Sequence, residues 1–200
     1  MKFNDITEII YCPNGKVGKV IIPDSVKIIG DYCFYNNKKL TAIIIPTPIV
    51  SIGNYAFAGC NELTEISLPK SLKTIGNNAF AGLKRLSGSF SIPDSVTDIG
   101  GSAFSGCSDL RTIIISSKVL KSIGESAFSG CVNLRFLYVF MVEPVELSQT
   151  NNTFYLVNKN ICTLYIPEGS LEKYSNASHW KDFKRIKEMK IIRVSTDMMR

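Results

Sequence analysis

Five glycines, Gly30, Gly53, Gly76, Gly100 and Gly124, recur at intervals of 23, 23, 24 and 24 residues. Phe34, Phe57, Phe80, Phe104 and Phe128 keep the same steps, as do Leu40, Leu63, Leu86, Leu110 and Leu134. A fixed period in the twenties predicts a chain wound into stacked, near-identical coils, each touching only its neighbours. With 200 residues, 45% hydrophobic and 20% charged, the composition suits one such domain.

The repeating unit reads L-x-x-I-x-I-P-x-x-V-x-x-I-G-x-x-A-F-x-G-C-x-x. In the copy starting at Leu63, Ile66 and Leu68 share one strand face and Ser67 takes the other. Pro69 has no amide donor and ends that strand. Leu72 and Ile75 then read as a short second strand. Gly76 reads as a corner at positive φ. Asn77, which corresponds to Asn54 and Asp31 elsewhere, is expected to cap one helical turn that carries Ala79 and Phe80 inward. One coil buries too little apolar surface to fold alone, so the unit must be iterated and its two ends covered.

The segments SIGNYAFAGCNELTEI, TIGNNAFAGLKRL, DIGGSAFSGCSDL and SIGESAFSGCVNL resemble the bacterial BspA-like leucine-rich repeat family. The resemblance runs from Val17 to about Met189 and rests on five in-register G-x-x-[AC]-F matches. It implies an α/β, mostly β, right-handed leucine-rich repeat solenoid used for protein binding and attachment at bacterial surfaces. It supplies no catalytic residues.

The expected organisation is a single domain over 1–200. Residues 1–19 form an N-terminal cap, 20–136 five regular repeats, 137–163 an irregular repeat, and 164–200 a closing cap and tail. In the first cap Ile9 to Tyr11 and Val17 to Ile22 are expected to pair as a hairpin around Cys12 to Gly15. An extra residue near Gly88 and Ser89 predicts a strand bulge. Ser116 and Ser117 replace the corner proline of the fifth repeat, which predicts a looser corner there. Phe154 keeps the phenylalanine role, a strand is expected at Leu164 to Ile166, and a helix near Ser170. Trp180, Phe183 and Ile186 should lie over the open end, followed by a short strand at Ile191 to Val194.

No run of 18 apolar residues exists, so membrane insertion is not expected. Met1 to Ile10 lacks the apolar core of a signal peptide. The resemblance nevertheless favours an extracellular or cell-surface protein, with this chain as a mature or cloned part of it.

Catalytic and cofactor chemistry find no footing in the sequence. Cys60, Cys107 and Cys131 occupy one repeat column that Leu83 also fills, which marks an apolar slot for free thiols. Parallel Cβ vectors on stacked coils disfavour a bridge between them. There is no C-x-x-C pair, and the single His179 cannot complete a zinc set of usual spacing. The glycines match no phosphate-binding loop. Hence no catalytic, cofactor or metal residue is expected.

The net charge is +6, and Lys181 to Arg200 holds seven Lys/Arg against three Asp/Glu. This basicity sits in the closing segment instead of forming a stripe along the repeats, so nucleic acid is not the expected partner.

The outward strand positions are Ile21, Ile44, Ser67, Ser91, Ile114, Tyr138 and Tyr165, a stripe about 30 Å long at strand spacing. With Arg111, Arg135 and Phe136 beside it, its C-terminal half has the aromatic and arginine composition of interface hot spots. Exposed strands favour aromatic and β-branched residues in any case. The expected function is a non-enzymatic, monomeric protein-binding module, contacting a host or bacterial surface protein through Ile44, Arg111, Ile114, Arg135, Phe136, Tyr138 and Tyr165. The alternative is a structural spacer within a longer surface protein.

Overall fold

The computed structural model describes residues 7–9, 11–13, 15, 17–147 and 152–190. The chain forms a mostly β, parallel solenoid of about eight turns. One side of each turn is a strand, longer than two residues in every case but β6: β2 Gly18–Ile21, β4 Leu40–Ile44, β6 Glu65–Ile66, β8 Gly88–Ile92, β10 Leu110–Ile115, β12 Phe136–Val139, β13 Thr163–Pro167 and β14 Arg185–Met189. These make a three-stranded sheet, β2-β4-β6, and a five-stranded sheet, β8-β10-β12-β13-β14. The second side is a ladder of two-residue strands: β1 Glu8–Ile9, β3 Ile28–Ile29, β5 Ser51–Ile52, β7 Thr74–Ile75, β9 Asp98–Ile99 and β11 Ser122–Ile123. All the pairings are parallel, each strand lying on its counterpart one turn away.

The third side contains no helix. Gly30 to Asn37 and its equivalents run as consecutive tight turns in which alternate amides take different partners. Tyr55, Phe57 and Gly59 donate to Asn77, Ala79 and Ala81 of the next turn, while Ala58 and Cys60 donate back to Tyr55 and Phe57. A helix would pair its amides inside its own segment from the second turn on. Here half of them staple one coil to the next, and this overrides the expected helical turn.

The predicted cap by Asp31, Asn54 and Asn77 is likewise redirected to the neighbouring coil. Asp31 Oδ1 accepts the Asn54 amide at 2.6 Å, Asn54 Oδ1 the Asn77 amide at 2.8 Å, and Asn77 Oδ1 the Gly101 amide at 2.7 Å.

The glycine of the first landmark is not at positive φ either. The left-handed positions lie two residues later, at Tyr32, Tyr55, Asn78, Ser102 and Ser126, and at Gly59, Gly82, Gly106 and Gly130. Gly76 is required for close approach: a Cβ there would sit 2.6 Å from the Gly53 carbonyl carbon and 2.7 Å from the Asn54 nitrogen. Backbone that near admits no side chain.

The core runs unbroken along the axis. Phe34, Phe57, Phe80, Phe104, Phe128 and Phe154 stack with successive centroid distances of 5.1, 5.5, 5.1, 5.5 and 5.9 Å, each pair within 18° of parallel. The leucine column, Leu40 to Leu134, is buried beside it.

The ends depart from expectation in instructive ways. The N-terminal segment is not a hairpin: β1 pairs with β3 and β2 with β4, both in parallel, so it is a short first coil. Cys12 donates its amide to Cys33 just as Phe34, Phe57, Phe80 and Phe104 donate theirs to an alanine of the next coil, and so opens the phenylalanine column. Ile10, Asn14 and Ile191 to Val194 fall outside the described residues.

A register slip does lie beside Gly88, but the extra residue is in β10 and not in β8: Leu110 pairs with Gly88 and Thr112 with Ser89, which leaves Arg111 unmatched. The fifth corner is not loose. Ser117 is fully buried, donating to the Val96 carbonyl at 2.6 Å and accepting the Val119 amide. At the C-terminal end α1 Leu171–Asn176 follows β13. Trp180 and Phe183 meet Phe154 edge-on, each at 5.2 Å, and close the column.

Candidate functional site

Parallel stacking at fixed register turns each outward position of the strand into a column on the surface. Ile114 lies between Ser91 and Tyr138, Tyr138 pairs with Tyr165, and Tyr165 with Lys187. The neighbouring column runs Thr112, Phe136, Thr163, Arg185. Tyr138 and Tyr165 stack with centroids 4.5 Å apart and rings within 7° of parallel, and Phe136 leans toward Tyr165 at 6.4 Å. Phe136 is 42% exposed, a large apolar side chain turned to solvent. The neighbouring Leu137 and Val139 point inward and are fully buried, so the platform rests on the core. Partial burial, with Tyr165 adding a smaller effect, holds the Tyr138 phenol above its ordinary range, so it stays a neutral donor.

Arginine sits one residue ahead of these columns. Arg111 is exposed; Arg135 is half-buried, its Nη1 donating to the Leu134 carbonyl at 3.2 Å and its amide to the Arg111 carbonyl at 2.9 Å. The structure thus brings together six of the seven residues expected at a partner site: Arg111, Ile114, Arg135, Phe136, Tyr138 and Tyr165. Ile44 is not among them. It is 43% exposed but belongs to the three-stranded sheet, pairing with Ile21, and the ladder is interrupted between β6 and β8.

Two cations were missed by sequence reasoning. Arg185 and Lys187 extend the columns because the last strand begins at Arg185, ahead of the expected strand at Ile191. The alternation Arg-Ile-Lys was the available signal; reading Trp180, Phe183 and Ile186 as one helical or turn-like face concealed it.

The buried polar chemistry elsewhere is structural. All six cysteines are free and buried. Cys60, Cys107 and Cys131 donate their thiols to the carbonyls of Phe34, Phe80 and Phe104 in the preceding turn, at 3.0, 3.2 and 3.3 Å. Burial pushes Cys33, Cys60, Cys131 and Cys162 up to about 12, and Cys107 well above its ordinary value. Such thiols are protonated and poor nucleophiles. His179 lies in the turn after α1 with φ +66°. Among the described residues no group of three or more His, Cys, Asp or Glu is placed to hold a metal ion, and no helix is long and apolar enough to cross a membrane.

Stacked parallel coils with a phenylalanine spine, a leucine column and an asparagine ladder define a leucine-rich repeat solenoid. The chain belongs to the BspA-type leucine-rich repeat family, whose repeat region, in six copies, matches residues 4–135 and 86–196. Proteins of this class are generally non-enzymatic repeat modules.

Similar solved structures are bacterial. A Treponema pallidum leucine-rich repeat protein shares 30% identity and a TM-score of 0.60, over 62% of this chain and 60% of that one. A leucine-rich cell surface protein from Faecalibacterium prausnitzii shares 32% identity and a TM-score of 0.61, over 65% of this chain and 34% of its own. The pneumococcal vaccine antigen PcpA, at 23% identity, shares the fold over 94% of this chain and 45% of its own, with a TM-score of 0.75. The match therefore spans between 34% and 60% of these proteins' lengths. A comparison with curated proteins finds no significant match.

Proposed function

We propose that this chain is a protein-binding module of a bacterial surface or secreted protein, engaging its partner through the C-terminal half of the strand face. The observation that carries this reading is the Tyr138–Tyr165 stack, continuous with Ile114 and Phe136 and bordered by Arg111, Arg135, Arg185 and Lys187. The rings are held by a hydrogen-bonded ladder over a packed core, so docking costs little side-chain entropy. Aromatics supply contact area, and arginines offer forked donors to carboxylates. The four cations make an acidic protein surface the complementary partner. The likeness to a leucine-rich cell surface protein favours a partner met at the bacterial surface, a host protein among them. The spacer reading draws on one observation, that two of the similar structures, the Faecalibacterium prausnitzii protein and PcpA, belong to much longer chains.

The test is capture from serum and extracellular-matrix protein mixtures by wild type and by the Arg135→Ala, Tyr138→Ala pair. The pair should remain folded and lose its partner, with binding weaker by about 2 kcal/mol or more if both are hot spots. Equal recovery of every captured protein by both forms would move the site off this face. Failure of both forms to retain any protein favours the spacer.

A further inference from the structure

A second surface lies at the glycine corner, away from the strand face. The left-handed position of each coil carries Tyr32, Tyr55, Asn78, Ser102 and Ser126 in turn. Backbone at φ of 53–58° favours glycine, and tyrosine is uncommon there. Tyr32 and Tyr55 stack at 4.9 Å, within 4° of parallel, and Tyr35 braces both edge-on at 5.6 and 6.3 Å. The aromatic column then stops. Where further rings would follow, small polar side chains leave a groove of about 620 Å³ that runs from Asp31 and Tyr32 to Glu125 and Ser126.

The lining of this groove selects among ligands. It contains no aliphatic side chain and no lysine or arginine, although the molecule as a whole is cationic. Sulfated, phosphorylated and sialylated ligands lack a counter-charge here, and an apolar protein surface finds only the tyrosines. At its N-terminal end the polar groups are spent on each other, Asp31 and Asn54 being joined by two hydrogen bonds. Beyond Asn77 they are not. The side chains of Asn78, Ser102, Ser126 and Glu125 make no hydrogen bond among the described residues, and Asn78, Ser102 and Ser126 recur once per coil, about 4.8 Å apart. An aromatic face followed by unspent amide, hydroxyl and carboxylate groups matches a pyranose, which offers a C–H face for stacking and a rim of hydroxyls for hydrogen bonding.

We propose that this groove binds a neutral oligosaccharide, with one pyranose stacked on Tyr55 and the following units hydrogen-bonded by Asn78, Ser102 and Ser126. The site is independent of the protein-binding face: Tyr138 and Tyr165 take no part in it.

The experiment is ligand-observed saturation-transfer NMR and titration calorimetry on the full chain, since the single Trp180 is buried and would not report. The probes are cellotetraose, mannotetraose and chitotetraose, with a heparin tetrasaccharide and trilysine as charged comparators. At least one neutral tetrasaccharide should bind. Tyr55→Ala should weaken it tenfold or more, while Tyr55→Phe and Tyr138→Ala should leave it within twofold. Ser102→Gly removes a hydroxyl while relieving the left-handed backbone, so it stays folded, and it should weaken binding about fivefold. The proposal is overturned if no neutral tetrasaccharide binds, if heparin or trilysine binds more tightly, or if folded Ser102→Gly binds as wild type does.

Discussion

At the residue scale, the two glycines of each coil are there for different reasons, and substitution separates them. A Cβ on Gly76 would lie 2.6 Å from the backbone of the previous coil, whereas Gly82, at φ +74°, has open space around its missing Cβ. Gly76→Ala must push two coils apart and should cost about 3 kcal/mol, the upper end of overpacking penalties. Gly82→Ala meets only backbone strain and should cost about 1–2 kcal/mol. Urea denaturation of the two variants measures the difference, and equal costs would deny the close approach.

The cysteine column makes a second prediction. Burial raises the folded-state values of Cys33, Cys60, Cys131 and Cys162 from 9.0 to about 12. Between those limits the unfolded chain loses thiol protons that the folded chain keeps. Stability from these groups is therefore complete below pH 9 and declines as pH rises toward 12. Replacing Cys131 with alanine should flatten that alkaline slope. The native protein should also resist thiol reagents at pH 8 until denaturant exposes all six cysteines.

At the scale of elements, the closing cap is held by three hydrogen bonds that the repeat does not encode. Tyr174 donates its hydroxyl to the Met141 carbonyl and Trp180 its indole N–H to the Val145 carbonyl, both at 2.9 Å. The short helix α1 is not capped by Ser170, whose hydroxyl makes no bond; Glu188 Oε1 of β14 accepts the Leu171 amide at 3.0 Å instead. Trp180→Phe orphans a buried carbonyl and leaves a gap against Phe154, and should cost about 2–4 kcal/mol. Ser170→Ala should be neutral within about 0.5 kcal/mol, unlike a working N-cap serine. Thermal unfolding of the two variants is the check; a large loss in Ser170→Ala would contradict the cap geometry.

At the scale of the whole molecule, each coil is stable only because a neighbour covers it. The phenylalanine stack would end at Phe154 but for Trp180 and Phe183. A chain ending at Pro167 would expose that end along with the edge of β13. It should self-associate more strongly than the full chain, as size-exclusion chromatography with light scattering would show.

What the sequence determined by itself is what repeats. The 23- and 24-residue steps specify stacking, the phenylalanine and leucine columns, the apolar cysteine slot and the outward strand positions, because an identical local pattern placed on itself has one self-consistent register. Six of the eight residues on the proposed contact face were legible for that reason. What only the tertiary structure decided is what depends on the neighbouring coil. Asp31, Asn54 and Asn77 have the chemistry of helix caps, yet the nearest unpaired amides belong to the next turn. Gly76 looks like a flexible corner, but backbone approaching from the coil before it is what excludes a side chain. Ile9 to Ile22 read as a hairpin because two strands close in sequence favour antiparallel pairing, while an open solenoid end offers parallel partners to the strands found there. Arg185 and Lys187 join the strand face because the last edge of the sheet recruits whichever extended segment reaches it.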